Sequence, residues 1–392
     1  MGKFNIYCST AALTLAALTP ALTASADTPW DLKLSGRILY DYTRADADTA
    51  DFEIDDTELR SARLAVSGKT DVMDFKVELE TDEGGEIIAT DAYADFSPKG
   101  TSWKIRVGQF KTPNSLEEQT SGRFTTFAER AEFTDAFEFD RRVGIAAHTK
   151  GKDWTFMAGA FGGDLNDTPS EEGLALAARG TYTPVHTDAM LVHLGASVRY
   201  REIGDRQSRL RYRQRPFAHL PGRMISTGAV AESDTLIGLE AAVLRSPFWA
   251  SLEYADVRSD LAAGGTGNFT GSGFETGYFF GGERTYKDGK FDRPKVNHPV
   301  TERGLGALSV SAAYDTLDLT DAGVDGGAMS TALVGLSWYP TSKTRVGLSI
   351  FQSDANLGTS TSGLDPAFAD AVRAGVTDDT VTGATLRLQA DF

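Results

Sequence analysis

The sequence has almost no cysteine, few prolines and no long apolar segment after its first residues. Cys8 is the one cysteine among 392 residues, so disulfide frameworks and thiolate metal sites are excluded. The mean hydropathy is −0.25, whereas helical membrane proteins contain apolar runs of about 20 residues. Serine-hydrolase, zinc-protease and nucleotide-binding motifs are lacking, and the five histidines are scattered. We therefore expect no enzymatic activity, no cofactor and no metal site.

The chain is also short of positive charge. It carries 39 Lys and Arg against 55 Asp and Glu, for a formal net charge of −16. Binding to a nucleic-acid backbone requires a net basic surface, so this class of partner is excluded. The total says little about any one surface, because charges on distant loops enter the same sum.

The first 26 residues have the pattern of a secretory signal peptide. Lys3 supplies a positive start, Thr10–Leu22 is a short apolar stretch, and Ala24–Ala26 has the A-x-A spacing of a cleavage site. The sequence thus predicts a cleaved signal peptide over 1–26 and one domain over 27–392. The alternative is an uncleaved membrane anchor, for which the apolar stretch is short.

What the remaining chain contains is alternation of apolar and polar residues with a period of two. Such alternation is typical of β-strands with one face in lipid and the other in water. Segments with this pattern occur within 32–42, 62–69, 75–80, 103–107, 192–201, 248–254, 308–315, 345–350 and 386–392. Charged residues inside strands need water on their side of the sheet, because a dry core would bury them unpaired. The pattern predicts an all-β, transmembrane antiparallel β-barrel of about 16 strands in the outer membrane of a Gram-negative bacterium, rather than a soluble β-sandwich.

The connections between these segments alternate in length. Short turns at 70–71 and 342–343 are predicted to be periplasmic, and long loops extracellular. The predicted extracellular loops are 45–56, 113–140, 204–231, 259–273, 282–304 and 356–379. Trp154, Trp249, Trp338 and Tyr339 are predicted to lie in interfacial aromatic girdles. The final segment ends on Phe392, and a terminal aromatic residue resembles the signal of outer-membrane assembly.

Basic residues on the predicted lumen face are the candidate functional residues. Rings or ladders of Arg and Lys make anion pores, because their field replaces part of the lost hydration. The candidates are Arg37, Arg63, Lys69, Lys104, Arg106, Arg179, Arg199 and Arg345. The alternative is that each of them pairs with a lumen carboxylate and braces the wall.

Two further stretches are rich in charge. The segment 111–142 is too long for a turn, and long loops in compact folds are usually functional, so it is a candidate constriction. Its candidate residues are Lys111, Glu117, Arg123, Arg130, Arg141 and Arg142. The stretch 199–223 is dense in arginine, and Arg209, Arg211, Arg213 and Arg215 are candidates for anion capture at the mouth. The alternatives are an ordinary extracellular loop for the first, and contacts to lipopolysaccharide or a neighbouring subunit for the second.

Several segments together resemble the phosphate-selective porin O/P family. They occur in family order from the second strand onward, as Arg60–Lys69, Asp91–Phe96, Arg106–Pro113, Phe127–Arg130, Arg142–Gly144, Arg211–Pro216, Gly282–Tyr286, Asp315–Leu319 and Leu336–Tyr339. The resemblance implies a sixteen-stranded porin, usually a homotrimer, whose third loop folds inward to narrow the pore. It also implies passage of phosphate or other anions along arginines and lysines. The acidic residues on the predicted lumen face depart from that pattern.

The sequence therefore predicts an outer-membrane porin for passive diffusion of small solutes, with anions such as phosphate as the expected class. Expected partners are small anionic solutes, lipopolysaccharide and outer-membrane lipid, and two further copies of the chain. The competing hypotheses are a plugged or structural barrel that acts like an adhesin, and a barrel hydrolase. Channel conductance separates the first of these from a porin, and lipid hydrolysis tests the second.

Overall fold

A computed structural model describes four stretches of the chain, which together contain nearly all of the predicted barrel domain. The described residues are 30–81, 85–166, 173–204 and 209–392. The predicted signal peptide over 1–26 lies outside the described residues.

The regular secondary structure of the described chain is almost entirely β-strand. The strands are β1 Asp31–Ala47, β2 Glu53–Lys69, β3 Met73–Thr81, β4 Ile87–Phe96, β5 Lys104–Lys111, β6 Arg141–Lys150, β7 Trp154–Phe161, β8 Ala175–His186, β9 Leu191–Glu202, β10 Leu210–Gln214, β11 Ile225–Arg245, β12 Phe248–Leu261, β13 Thr266–Phe280, β14 Gly282–Lys287, β15 Lys290–Val296, β16 Ala307–Asp321, β17 Val324–Thr341, β18 Thr344–Asn356 and β19 Asp378–Asp391. The helices are α1 Leu116–Gln119, α2 Glu132–Ala136 and α3 Pro366–Arg373, with a 3-10 turn at Val300–Glu302. None of the helices in the described ranges is long and apolar enough to cross a membrane.

Sixteen of the strands form one closed antiparallel wall. They are β1–β9, β11–β13 and β16–β19, each hydrogen-bonded to the next, and β19 pairs with β1 to close the ring. The closing register runs from Arg37 opposite Asp391 to Ala47 opposite Val381. Strand β10 pairs with the first residues of β11, which project beyond the ring at one end. The predicted sixteen-stranded transmembrane β-barrel is confirmed, and closure pairs each of these sixteen described strands on both sides.

Alternation places apolar side chains outside and polar ones inside, as the period-two pattern predicts. On the outside, Leu239 is 55% exposed and Val334 is 54% exposed. On the inside, Asp41 and Arg387 are buried. The prediction of an aromatic girdle is wrong for two of its four residues. Trp249 and Tyr339 lie at inward-facing positions and are buried.

An apolar core fills part of the bore at the end that carries the long loops. Aromatic side chains from α2, β10, the loop after β10 and α3 pack together there, including Phe133, Phe137, Tyr212, Phe217 and Phe368. Phe368 lies with its ring centroid 4.9 Å from that of Phe52 in the first loop. The loops therefore form a packed lid over part of the bore.

The β14–β15 hairpin enters the bore from the opposite end. It lies between β13 and β16, so strand alternation places it at the end of the short turns at 70–72 and 342–343. The prediction that 282–304 is extracellular is therefore wrong. The prediction relied on the length of this connection alone. The connection is long because it contains the β14–β15 hairpin, hereafter the strap, which folds into the barrel.

Candidate functional site

The third loop, residues 112–140, folds into the barrel and docks on its wall through the start of α1. Ser115 caps this helix by accepting a hydrogen bond from the Glu118 amide. The Glu253 carboxylate, from β12, accepts hydrogen bonds of 2.8 Å from the amides of Leu116 and Glu117. The first amides of a helix lack hydrogen-bond partners within the helix and carry partial positive charge. A carboxylate supplies both the missing acceptor and a compensating negative charge. This contact fixes the loop against β12.

The middle of the third loop is held by the last strand. Arg387 donates 2.6 Å to the Ala128 carbonyl and pairs with Asp41 at 2.5 Å. Two positions along β19, the Gln389 side-chain amide donates to the Arg123 carbonyl at 3.1 Å. Every second residue of β19 faces the lumen, and two of these residues, Arg387 and Gln389, bind the third loop.

A cavity of about 330 Å³ lies between the third loop, the strap and strands β1–β6. We call this cavity the neck. Ten basic side chains line it, namely Arg37, Arg60, Arg63, Lys76, Lys111, Arg123, Arg130, Arg141, Lys290 and Arg387. Four acidic side chains line it, namely Glu78, Asp91, Glu129 and Asp292. The neck therefore has an excess of six basic residues in a chain whose net charge is −16.

Many of the neck cations are fixed in place by carboxylates. Arg63 contacts Glu78 at 2.9 Å, and Lys76 contacts Asp91 at 2.6 Å. Arg141 also contacts Asp91, at 2.7 Å. Each carboxylate here is shared by more than one cation, so pairing leaves a net positive wall. Such charge-assisted contacts hold the side chains in defined positions.

Glu118 ties the third loop to the basic wall. Its carboxylate lies 2.9 Å from Lys111 Nζ and 3.3 Å from Arg130 Nε. Burial by itself raises the pKa of Glu118, but the charges of Arg130 and Lys111 more than offset this and hold the pKa below its ordinary value. Glu118 is therefore ionised at neutral pH, and it compensates one of the two cations beside it.

Carboxyl groups crowd the opposite side of the third loop. A small cavity of about 20 Å³ behind the loop is lined by acidic residues from the loop and from β12, β13 and β16, and has room for about one water molecule. Burial, followed by the charge of Glu275, raises the pKa of Glu117 to about 8. Burial raises the pKa of Glu132 to about 7. These two loop carboxyls thus carry protons over part of the neutral range.

The strap crosses the bore beneath the third loop. At its tip Asp288 pairs with Lys150 at 2.7 Å, which places the tip against β6. Further along, the Phe291 amide donates to Thr120 Oγ1 of the third loop at 3.2 Å. Arg293 pairs with Asp391 of β19. The strap is thus bound to the wall on both sides and to the loop above it.

Six of the predicted residues line the neck, namely Arg37, Arg63, Lys111, Arg123, Arg130 and Arg141. Glu117 lies behind the third loop, where its carboxylate accepts 2.9 Å from the Ala131 amide. Arg142 is buried and turns away from the neck toward the Gly162 carbonyl, 3.4 Å distant.

Three other predicted lumen residues lie outside the neck, toward the strap end of the barrel. Lys104 pairs with Asp74 at 2.5 Å, and Arg106 forms two hydrogen bonds to Asp95, of 2.8 and 2.7 Å. Lys69 is exposed at the end of β2. This lower wall is therefore charged but largely paired.

Arg179 and Arg199, like the buried Arg345, which donates 2.7 Å to the Thr125 carbonyl of the third loop, bind the inserted elements instead of facing open space. Arg179 contacts Glu240 at 2.7 Å and donates 2.7 Å to the Gly289 carbonyl at the strap tip. Arg199 is fully buried and donates 3.0 Å to the Glu138 carbonyl of the third loop. All three arginines hold elements that fill the bore.

The predicted mouth arginines lie before, on and after β10, with Arg209 preceding the strand, Arg211 and Arg213 within it, and Arg215 following it. Arg209 is exposed, and Arg211, Arg213 and Arg215 are half-buried. Burial and the nearby charges of Arg223 and Arg211 lower the pKa of Arg213, which marks a local concentration of positive charge.

Sequence reasoning missed four neck cations: Arg60, Lys76, Lys290 and Arg387. Lys76 and Arg387 stand on lumen-facing positions of the alternating pattern, so a signal for them was present. By its position in the alternating pattern of β2, Arg60 is expected to face outward. A register shift between β1 and β2 near Leu39 turns it inward, where it pairs with Glu129 at 3.0 Å.

Metal chemistry has no support in the geometry. Within the four described stretches, no group of three or more His, Cys, Asp or Glu side chains is placed to hold a metal ion.

Sequence comparison relates the chain to known porins. The family model of phosphate-selective porin O and P matches residues 32–389. An uncharacterized protein of Caulobacter vibrioides is 32% identical over 350 residues, which cover 86% of this chain and 68% of that protein. Porin O of Pseudomonas aeruginosa is 24% identical, with 87% of each chain covered.

Solved structures share the fold at low sequence identity. The anion-selective porin of Comamonas acidovorans matches with a TM-score of 0.57 at 11% identity, covering 93% of this chain and 100% of that one. The outer-membrane channel DcaP of Acinetobacter baumannii matches with a TM-score of 0.55 at 13% identity, covering 94% and 99%. With a family match over nearly the whole described barrel, the chain belongs to the phosphate-selective porin O and P family of outer-membrane porins.

Proposed function

We propose that this porin admits small anions, with phosphate-like oxyanions as the favoured class, by passive diffusion through the neck. The observation that carries the proposal is the excess of six basic side chains around a cavity of about 330 Å³. An ion entering so narrow a space loses part of its hydration shell. Fixed cations compensate that loss for an anion and increase it for a cation.

The chemistry of the lining favours oxyanions over chloride. Seven of the ten neck cations are arginines, whose planar guanidinium groups offer several donors to the oxygens of one phosphate. Two properties support the proposal from outside this chain: a relative carries the name Porin O, and a structural neighbour is described as anion-selective.

The test is the reversal potential of the purified protein in a planar bilayer across a KCl gradient. We expect the sign of anion preference, and we expect inorganic phosphate to reduce the chloride current. Replacing Lys111 and Arg130 by Glu should weaken or invert the preference, because both line the neck. A wild-type protein that prefers potassium over chloride would contradict the proposal.

A second candidate function is a closed barrel with a structural or adhesive role. The apolar lid at the loop end and the strap across the bore both favour it, because each fills space that an open pore needs. Single-channel recording separates the two. A closed barrel gives no steady conductance steps, whereas a porin gives uniform ones.

We also propose the remaining features of the sequence-based prediction: a homotrimer, contact with lipopolysaccharide, a signal peptide cleaved after residue 26, and anion capture by Arg209, Arg211, Arg213 and Arg215 at the mouth. Mass measurement in detergent tests the trimer, and N-terminal sequencing tests the cleavage site. Loss of association rate at low ionic strength on Arg-to-Gln substitution tests capture.

A further inference from the structure

The loop between β10 and β11, residues 215–224, crosses the whole bore. It leaves the wall at β11, and its His219 contacts Glu58 of β2, with 2.7 Å between Nδ1 and Oε2. Strands β11 and β2 are eight places apart in either direction around the sixteen-stranded ring, so they stand on opposite sides of the barrel. We call this segment the crossing loop.

The register of β1 and β2 turns Glu58 into the bore. Glu58 lies opposite Asp41, which is buried on the lumen side, and directly opposed residues share a face of the sheet. Next to Glu58, a bulge turns Arg60 inward as well, where it pairs with Glu129 of the third loop at 3.0 Å. Because Arg60 and Glu129 line the neck, the crossing loop meets the far wall beside the entrance to the neck.

A protonated His219 balances the charge at this contact. The charged groups around it are Glu58 and Arg60 of β2, Asp41 of β1, Glu129 of the third loop and Arg387 of β19. Burial by itself raises the pKa of Glu129, but the charges of Arg60, His219 and Arg387 hold this pKa below its ordinary value. Three carboxylates against two guanidinium groups leave one negative charge, which a positive His219 compensates.

The far end of the crossing loop is held differently from the rest of it. Phe217 lies with its ring centroid 6.2 Å from that of Phe127 in the third loop, and Arg223 pairs with Asp135 of α2. These contacts do not depend on a histidine. At the far end, Glu58 Oε1 is buried and has no hydrogen-bond partner in the described part of the chain. Docking there therefore relies on the charge of the group that approaches Glu58.

We propose that His219 and Glu58 form a proton-dependent latch that holds the crossing loop across the bore above the neck. With His219 protonated, the contact is an ion pair, and the loop stays on β2 and narrows the entrance. With His219 neutral, the contact loses its charge assistance, the far end of the loop leaves β2, and the entrance widens. Histidine changes its charge between about pH 5 and 8, so the passage narrows when the medium turns acidic. This inference rests on the proposed diffusion function, but not on the preference for anions.

The first test records single channels of wild type, H219Q and H186Q at about pH 5.5 and 8.5, on either side of the histidine range. His186 is the matched control, because it contacts Asp153 at 3.3 Å but lies at the opposite end of the barrel. We expect the time that wild type spends in a larger conductance level, relative to the smaller one, to rise about fivefold at the higher pH, the effect of removing the charge from one hydrogen-bond partner. H186Q should show the same rise, and H219Q should show none.

The third loop offers a competing source of pH dependence. The pKa of Glu117 is about 8 and that of Glu132 is about 7, so both carboxyls change charge within the range of the experiment. A wild-type pH response that persists in H219Q belongs to these groups and overturns the latch. If wild type gives no steady conductance at either pH, the porin function and the latch fail together.

The second test fixes the crossing loop covalently. In E58C/H219C, a short bis-methanethiosulfonate reagent should join the two positions and hold the channel in the smaller conductance level at both pH values. Reductant should release it, and H219C treated in the same way is the control. Should H219Q not fold, E58C/H219C decides, because a cross-linked channel that still reaches the larger level refutes the latch.

Discussion

Replacing Glu118 by Gln should make this porin more selective for anions. The Glu118 carboxylate lies 2.9 Å from Lys111 and 3.3 Å from Arg130, and all three sit where the third loop narrows the bore. Glutamine keeps the shape of the side chain and an oxygen that can accept a hydrogen bond. The substitution therefore removes one negative charge from beside the neck and leaves both neighbouring cations, which do line it, in place.

The size of the effect follows from the change in charge. Removing the Glu118 carboxylate makes the local charge one unit more positive. A unit charge about 6 Å from a passing ion changes its energy by about RT in water, with opposite signs for an anion and a cation, so the anion-to-cation permeability ratio should rise about tenfold. The effect is larger where the neck excludes water, and smaller in concentrated salt, because the Debye length at 0.1 M is about 10 Å.

The assay is the reversal potential of E118Q and wild type across a tenfold gradient of dilute KCl. Folding is checked by the mobility shift between heated and unheated samples in detergent gels. Because Arg130 and Lys111 hold the pKa of Glu118 below its ordinary value, wild type should approach the variant only at pH values more acidic than the ordinary pKa of a glutamate carboxyl. An unchanged or lowered ratio in folded E118Q would refute this electrostatic account of the neck.

Three further substitutions probe how the third loop is held. Arg387→Met should lower stability by about 3–5 kcal/mol in urea unfolding, because it leaves the buried Asp41 carboxylate unpaired; adding Asp41→Asn should recover part of the loss. Gly271→Val should reduce conductance, because even a Cβ at this position would lie 2.4 Å from Phe133 Cβ and push the loop into the bore; unchanged single-channel conductance would show that the loop adapts. Burial raises the pKa of Glu117 from 4.5 to about 8, so the folded state binds more protons than the unfolded state between these pH values, and stability should fall as pH rises across that window. E117Q should flatten the profile in urea titrations at several pH values.

The architecture of the wall could be predicted from the sequence because lipid and water impose a period of two on every strand. The segments around 32–42 and 386–392 show it clearly, and they pair to close the ring. Loop position was harder to predict. The strap was predicted at the wrong end because length alone does not indicate on which side of the membrane a connection lies. A single strand missed or added in the sequence reverses the predicted side of every later connection.

The neck could be predicted only in part. Alternation placed Arg37 and Arg63 inward, and the family resemblance indicated that the third loop folds into the pore. A bulge between β1 and β2 turns Arg60 inward, and the local sequence does not predict this bulge. Arg199 is a basic residue at a lumen-facing position, as the sequence predicts. The apolar packing of loops above it nevertheless buries its guanidinium. Such long-range contacts between loops and wall depend on the folded shape and leave no periodic signal.

The contacts of β19 have a consequence for how the protein is made. Its inward residues Arg387, Gln389 and Asp391 bind the third loop and the strap, and β19 is also the strand that meets β1. A chain inserted up to its penultimate strand would already hold the third loop at β12 and the strap at β6. Pairing of β19 with β1 then closes the wall and anchors both inserted elements at the seam in the same step.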